Sequence, residues 1–239
     1  MEFFAPHVRP IIGPVVMLPQ KGAVTGGSKR PPNSYAISGS TGTLLFDAVF
    51  SWNLDAIEAM ISTAHPPLAL VLSHRHLVSS GDAFHEIKEH YELPVLLHPD
   101  DHTCPSMSRL PMAVGDPTGG KGLEILQGVG AQLIHIPGHT AGSIMLYLPQ
   151  KGGILLTGDA AVGPGPIQPD QTPRLERPIG ADTDPCFIPI WKEVVGSLPI
   201  AAILPLHGAY YLRCDLGSDV FDAIVENIWK GHPMDPRQI

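Results

Sequence analysis

The stretch "LALVLSHRHLVSSGDAF", residues 68–84, decides how this chain is read. Its opening run, Leu68 to Leu72, is continuously apolar, the pattern of a strand covered on both faces rather than one half-exposed to water. The run ends in His74 and His76 with Arg75 between them. In an extended segment, side chains at i and i+2 share a face, so both imidazoles can reach a common point. Neutral imidazole, with carboxylate, is a side chain that binds zinc or iron. Val78 and Ser79, two and three positions past His76, add no comparable donor. On spacing alone the stretch looks like the start of a metal site, and HxH by itself is a weak signal.

Outward from this stretch the chain alternates strands and helices. "YAISGSTGTLLFDAVF" predicts two short strands around a Gly/Ser/Thr turn, the second ending at Asp47. "NLDAIEAMISTAH" predicts a helix with Asn53 as N-cap and Ile57, Met60 and Ile61 on one face. "GDAFHEIKEHYE" returns to helical spacing through Phe84 and Ile87, and "LPVLLHP" is a further buried strand. "GAQLIHIPGHTAGSIMLYLP" gives two strands around a Pro-Gly-His turn, and "GGILLTGDA" a strand running into Asp159. "IPIWKEVVGSL" reads as a helix, "IAAILPLHGA" as a strand ending in His207, and "SDVFDAIVENIWKG" as a helix capped by Ser218. The expected architecture is a layered α/β protein of one domain over residues 1–239, with a Pro/Gly-rich surface loop at 163–185.

Composition narrows the function classes. At 239 residues with 44% apolar and 16% charged side chains, the chain has the makings of a large buried core. A formal net charge of −8 gives no support to binding nucleic acid or an anionic membrane, which want basic patches. The low charge leaves little surface that must stay solvated, which leaves room for a second copy of the chain to cover some of it. Cys104, Cys186 and Cys214 lack metal or disulfide spacing and read as small hydrophobes or surface thiols. The amino terminus is cut by prolines and lacks a basic n-region, and no apolar run approaches the roughly 18 residues of a membrane span, so the expectation is a cytoplasmic protein.

One regularity outweighs any single motif. His74 and His76, His139, Asp159 and His207 each lie just past an apolar strand. Layered sheets commonly gather ligands where strands deliver their ends to one rim. Taken singly, His139 reads as a turn histidine, Asp159 as a turn former and His207 as a strand-end residue; together the five point to a shared site. The cluster His98, Asp100, Asp101 and His102 in "LLHPDDHTC" reads as a solvated loop, and His85 and His90 as helix-surface residues.

"SHRHLVSSGD", "PGHTAGS", "LTGDA" and "LPLHGA", in this order, resemble the signature blocks of the metallo-β-lactamase-fold superfamily, and Asp47 in "LLFD" resembles its first block, a structural aspartate behind the metal loop. The resemblance spans residues 33–212 and implies an αββα sandwich with the site at one edge. It implies that His74, His76 and His139 are the histidines of a first metal site. Asp159 then falls on an aspartate that bridges two metals, and His207 on a ligand of the second. The family loop HxHxDH is broken here, because its Asp and His fall on Val78 and Ser79. With that departure, the resemblance implies one metal or none.

Zinc in a catalytic site wants three protein ligands and an open position; His74, His76 and His139 supply the three, with Asp159 available. The second site would keep His207 and a share of Asp159, too few to hold zinc. The implied activity is a mononuclear, Zn²⁺-dependent hydrolase of a small-molecule ester, thioester or amide, with Asp159 or His207 as base or water-orienting group. Two other readings stay open. One is a non-haem iron enzyme similar to persulfide dioxygenases, with Fe²⁺ on His74, His139 and Asp159. The other is a catalytically inactive protein that keeps the fold for binding or assembly. Asp82 and His85 are substitute-ligand candidates.

Overall fold

The structure, a computed structural model, describes residues 8–20, 32–61, 65–102, 115–164 and 172–231. The described chain forms two compact units. The first takes the described residues up to Leu133 except Pro32, and the second takes Pro32 and those from Ile134 on.

The first unit is built on a six-stranded sheet of order β1-β2-β3-β4-β5-β6. Strands β1 (Arg9–Ile12), β2 (Val15–Met17), β3 (Tyr35–Ser38) and β4 (Thr43–Phe46) pair antiparallel in succession. Helix α1 (Leu54–Ile61) then carries the chain to β5 (Pro67–Val71), parallel to β4. A short helix α2 (Leu77–Ser80) and α3 (Phe84–His90) precede β6 (Val95–Leu96), parallel to β5. Parallel pairing needs such helical crossovers, and it explains why the last three strands read as unbroken apolar runs. Helix α4 (Gly120–Gly128), absent from the sequence expectation, follows.

Local chemistry fixes the ends of these elements. In α1 the buried face is Ala56, Ile57 and Met60, and Ile61 is exposed, which corrects the expected stripe by one position. Asn53 is a tether rather than an N-cap. Its Oδ1 accepts from the Phe50 amide at 3.3 Å and the Ser34 hydroxyl at 3.0 Å, while Nδ2 donates to the Pro19 carbonyl at 3.1 Å. Three orientations of one buried amide group thus join β3, the amino-terminal segment and the start of α1.

The second unit holds a five-stranded sheet of order β11-β10-β9-β8-β7. Strand β7 (Gln132–His135) opens at the boundary, and β8 (Ile144–Leu148) and β9 (Ile154–Gly158) form an antiparallel pair. Strand β10 (Ala202–Pro205) lies parallel to β9, and β11 (Tyr211–Leu212) closes the edge antiparallel to β10. The crossover from β9 to β10 contains α5 (Phe187–Pro189), which runs on as a π-turn over Ile190–Val194. Helix α6 (Arg213–Leu216) leads to α7 (Ser218–Lys230), which buries Phe221, Ile224, Val225 and Ile228, the i, i+3, i+4, i+7 stripe of an amphipathic helix. Gly217, not Ser218, stands at its N-cap, with φ of 78°. The unit's core centres on Trp191, whose indole N–H donates to the Val225 carbonyl at 3.2 Å.

The described part of the 163–185 segment corrects the surface-loop expectation. Leu175 and Ala181 are fully buried in the core of the second unit. Glu176 bridges to Val162 antiparallel, and the Asn227 side chain donates to the Leu175 carbonyl at 2.8 Å. The Arg177 guanidinium donates to the Ile228 carbonyl at 3.1 Å. Proline and glycine deny this stretch a helix or strand period, so its backbone is satisfied piecemeal, by the Val162 backbone, the Tyr211 hydroxyl and the Asn227 side chain. Residues 165–171 of that expectation, and Cys104, lie outside the described residues. Cys186 and Cys214 are exposed thiols.

Candidate metal centre

In the first unit the end of β5 is held by a carboxylate. Asp47, fully buried at the end of β4, has φ of 55°, a left-handed conformation that non-glycine residues seldom adopt. Its Oδ1 accepts the Ser73 amide at 2.7 Å. The Ser73 hydroxyl lies 3.0 Å from His74 Nδ1, an outer partner that orients the ring. The loop is a turn, not the extended segment read from sequence: His76 has φ −63° and ψ −27° and starts α2. The two imidazoles nevertheless meet, with ring centroids 5.2 Å apart and planes at 84°. His74 is buried and His76 exposed.

Val78 and Ser79 fall inside α2. Val78 is buried and offers no lone pair. The Ser79 hydroxyl donates to the His76 carbonyl at 3.0 Å, so it serves the helix backbone. Gly81 ends the helix where a Cβ would stand 2.5 Å from Val49 Cγ2 and 2.8 Å from the Leu77 carbonyl oxygen, so only glycine fits. Asp82 is committed elsewhere: its Oδ1 accepts the Ser51 amide at 2.8 Å and its Oδ2 the Ser51 hydroxyl at 2.9 Å. The His85 ring packs edge-on against Phe84.

The 98–102 stretch corrects its reading as a solvated loop. A 3-10 turn over Pro99–Asp101 buries Asp101 completely, and His98 is also buried. Asp101 Oδ2 accepts the Arg75 amide at 2.9 Å and Oδ1 accepts the Arg75 guanidinium at 2.7 Å. The sequence signal for this residue was the acid pair after β6. Nothing in the spacing tied it to the HRH loop.

In the second unit His139 rides on a tight turn after β7. The Ile136 amide donates to the Ser143 carbonyl at 2.8 Å, and the Thr140 amide to the Ser143 hydroxyl at 2.9 Å. Gly138, at φ 154°, lies where a Cβ would be 2.7 Å from the Phe187 ring. Asp159 follows β9, and His207 follows β10 with its carbonyl accepting the Gly163 amide at 2.9 Å. Asp159 Oδ2 lies 3.6 Å from His139 Nε2 and 3.8 Å from His207 Nε2. These separations are too long for hydrogen bonds. Two donors each about 2.1 Å from one ion at the tetrahedral angle stand roughly 3.4 Å apart, so the Asp159–His139 pair has nearly the spacing of two ligands of one metal. The structure therefore brings together His74 with His76 in the first unit, and His139, Asp159 and His207 in the second.

With these geometries in place, the family follows. The family model of the metallo-beta-lactamase superfamily matches residues 27–205, and the chain belongs to that superfamily. Its two mixed sheets with helices are the metallo-β-lactamase fold, an α/β sandwich. Among solved structures the chain is similar to a metallo-beta-lactamase from Pontibacter korlensis, at 20% identity and TM-score 0.60, covering 92% of this chain and 98% of that one. It is also similar to the metallo-beta-lactamase FIM-1 from Pseudomonas aeruginosa in its mono-zinc form, at 17% identity and TM-score 0.61, covering 92% of each chain. A third likeness is to TTHA1623 in a di-iron-bound form, at 23% identity and TM-score 0.53, covering 79% and 93%. Among curated proteins none matches the sequence closely enough to count as a relative. The family and the histidine groups suggest metal binding. No helix among the described residues is long and apolar enough to cross a membrane.

Proposed function

We propose that the chain is a hydrolase of a small-molecule ester, thioester or amide that uses one zinc ion, held by His74, His76 and His139, with Asp159 available beside His139 and one position open to water. The observation that carries this reading is the meeting of the His74 and His76 rings at the end of β5, with Asp159 Oδ2 3.6 Å from His139 Nε2, while position 78 of the metal loop is a buried valine. When bound, one Zn²⁺ lowers the pKa of its water to about 7 and polarises a carbonyl oxygen.

The chain's own residues do the rest. His74 would hold the ion through Nε2, since its Nδ1 faces the Ser73 hydroxyl. His207, about a third exposed and beside Asp159, takes the proton from the attacking water and returns it to the departing alcohol, thiol or amine. The water oxygen bonds to the carbonyl carbon, the carbon–heteroatom bond breaks, and an acid and the protonated leaving group result. Asp159, with Oδ2 3.8 Å from His207 Nε2, offsets the positive charge the imidazole acquires.

Metal analysis of protein purified without chelator, paired with an ester and thioester hydrolysis screen, tests this. About one zinc per chain with activity that chelation abolishes is expected. Iron in place of zinc points to the iron-enzyme reading, and no metal at any loading to a non-catalytic protein; either result overturns the proposal.

A further inference from the structure

We propose that Asp101 is a positioning residue of the metal loop, acting through Arg75; the functional part of this rests on the one-metal reading above. The loop from Ser73 to His76 carries two candidate ligands, His74 and His76, at alternate positions. Its other two amides, on Ser73 and Arg75, are each gripped by a fully buried carboxylate. Asp47 Oδ1 holds the Ser73 N–H at 2.7 Å, and Asp101 Oδ2 holds the Arg75 N–H at 2.9 Å. The held Arg75 amide plane contains the His74 Cα, and the held Arg75 is the residue that joins His74 to His76, so the two grips limit how the loop can present its imidazoles.

Asp101 does this with both oxygens. Oδ1 takes the Arg75 guanidinium at 2.7 Å, so the side chain between the two histidines is pinned by the same group as its backbone. Arg75 is about a quarter exposed and Asp101 wholly buried. A buried ion pair is weak as a source of stability, because desolvating the charges offsets most of their attraction, and apolar residues of the same volume commonly do as well. What such a pair supplies that apolar residues cannot is direction, and here the direction is that of the ligand loop. Asp101 is itself rigidly presented: its amide donates to the His98 carbonyl at 3.0 Å, and the next residue, His102, places Nε2 2.8 Å from the Leu97 carbonyl. The end of β6 thus braces the end of β5.

The test reads the imidazoles directly. In metal-free protein, the side-chain ¹H–¹⁵N signals of His74, His76, His139 and His207 are assigned by single histidine substitutions and compared in wild type and Asp101→Asn. The His74 and His76 signals are expected to shift or broaden, with His139 and His207 unmoved. If all four stay in place, or all four move together, Asp101 has no specific hold on the loop and the proposal falls. Should Asp101→Asn not fold, Arg75→Met is read the same way. In the same samples Co²⁺ affinity is expected to fall roughly tenfold or more, as for other outer partners of metal ligands, and an unchanged affinity overturns the functional part. A wild-type chain that takes up no Co²⁺ sinks the one-zinc reading, while the imidazole signals still decide whether Asp101 sets the loop.

Discussion

At the scale of single residues, the proposal gives the second unit's polar groups different roles. In it His139 holds the ion, with Asp159 available to it, and His207 transfers the proton. His139→Ala is therefore expected to lose most of the bound metal, whereas His207→Ala keeps it and loses about 10²–10⁴-fold in hydrolytic rate. Metal content and turnover measured on both variants check this, and equal metal loss in the two would count against the division. Gly138→Ala is expected to cost about 1–3 kcal/mol by denaturation, because a Cβ meets the Phe187 ring at 2.7 Å and φ of 154° does not suit an L side chain. The candidates were legible as a group, since His74, His76, His139, Asp159 and His207 each follow an apolar run and sit in recognisable blocks. Asp101 was not. Its partner is 26 positions away, and a contact between a strand-end acid and a loop arginine leaves no periodic trace.

At the scale of elements, α2 explains why the metal loop stops where it does. Its four residues place Val78 inward and turn the Ser79 hydroxyl back onto the His76 carbonyl. The double substitution Val78→Asp with Ser79→His is expected to raise bound zinc from one toward two per chain; a ratio that stays at one would show that α2 cannot present donors there. The crossover after β9 gives a second expectation. Leu175→Ala, in a segment whose composition reads as surface loop, is expected to cost about 2–5 kcal/mol in a denaturant titration, as for other fully buried leucines. Long apolar strands and the amphipathic helices α3 and α7 were legible because their periods are regular. The β1–β2 hairpin, α4 and the two-residue β11 were not. Pro10 and Gly13 interrupt the hairpin, four glycines between Gly119 and Gly128 mask α4, and two residues carry no period.

At the scale of the whole molecule, the sequence expectation of a layered α/β protein agrees with two mixed sheets, one per unit, and the family model runs through both. The proposed ligands are far apart in sequence, so the ion binds the native chain and not the unfolded one. Ligand at about a hundred times its dissociation constant stabilises by roughly 2.7 kcal/mol. For a chain of this length that corresponds to roughly 5–10 °C in melting temperature, and chelation is expected to remove it. A chelated sample that melts with the untreated one would argue against any such link. The central claim is a metal loop with half its donors replaced, and metal stoichiometry by elemental analysis of the purified, chelator-free chain tests it most directly. One zinc per chain is the predicted result; two metals per chain, or none under zinc loading, would contradict it.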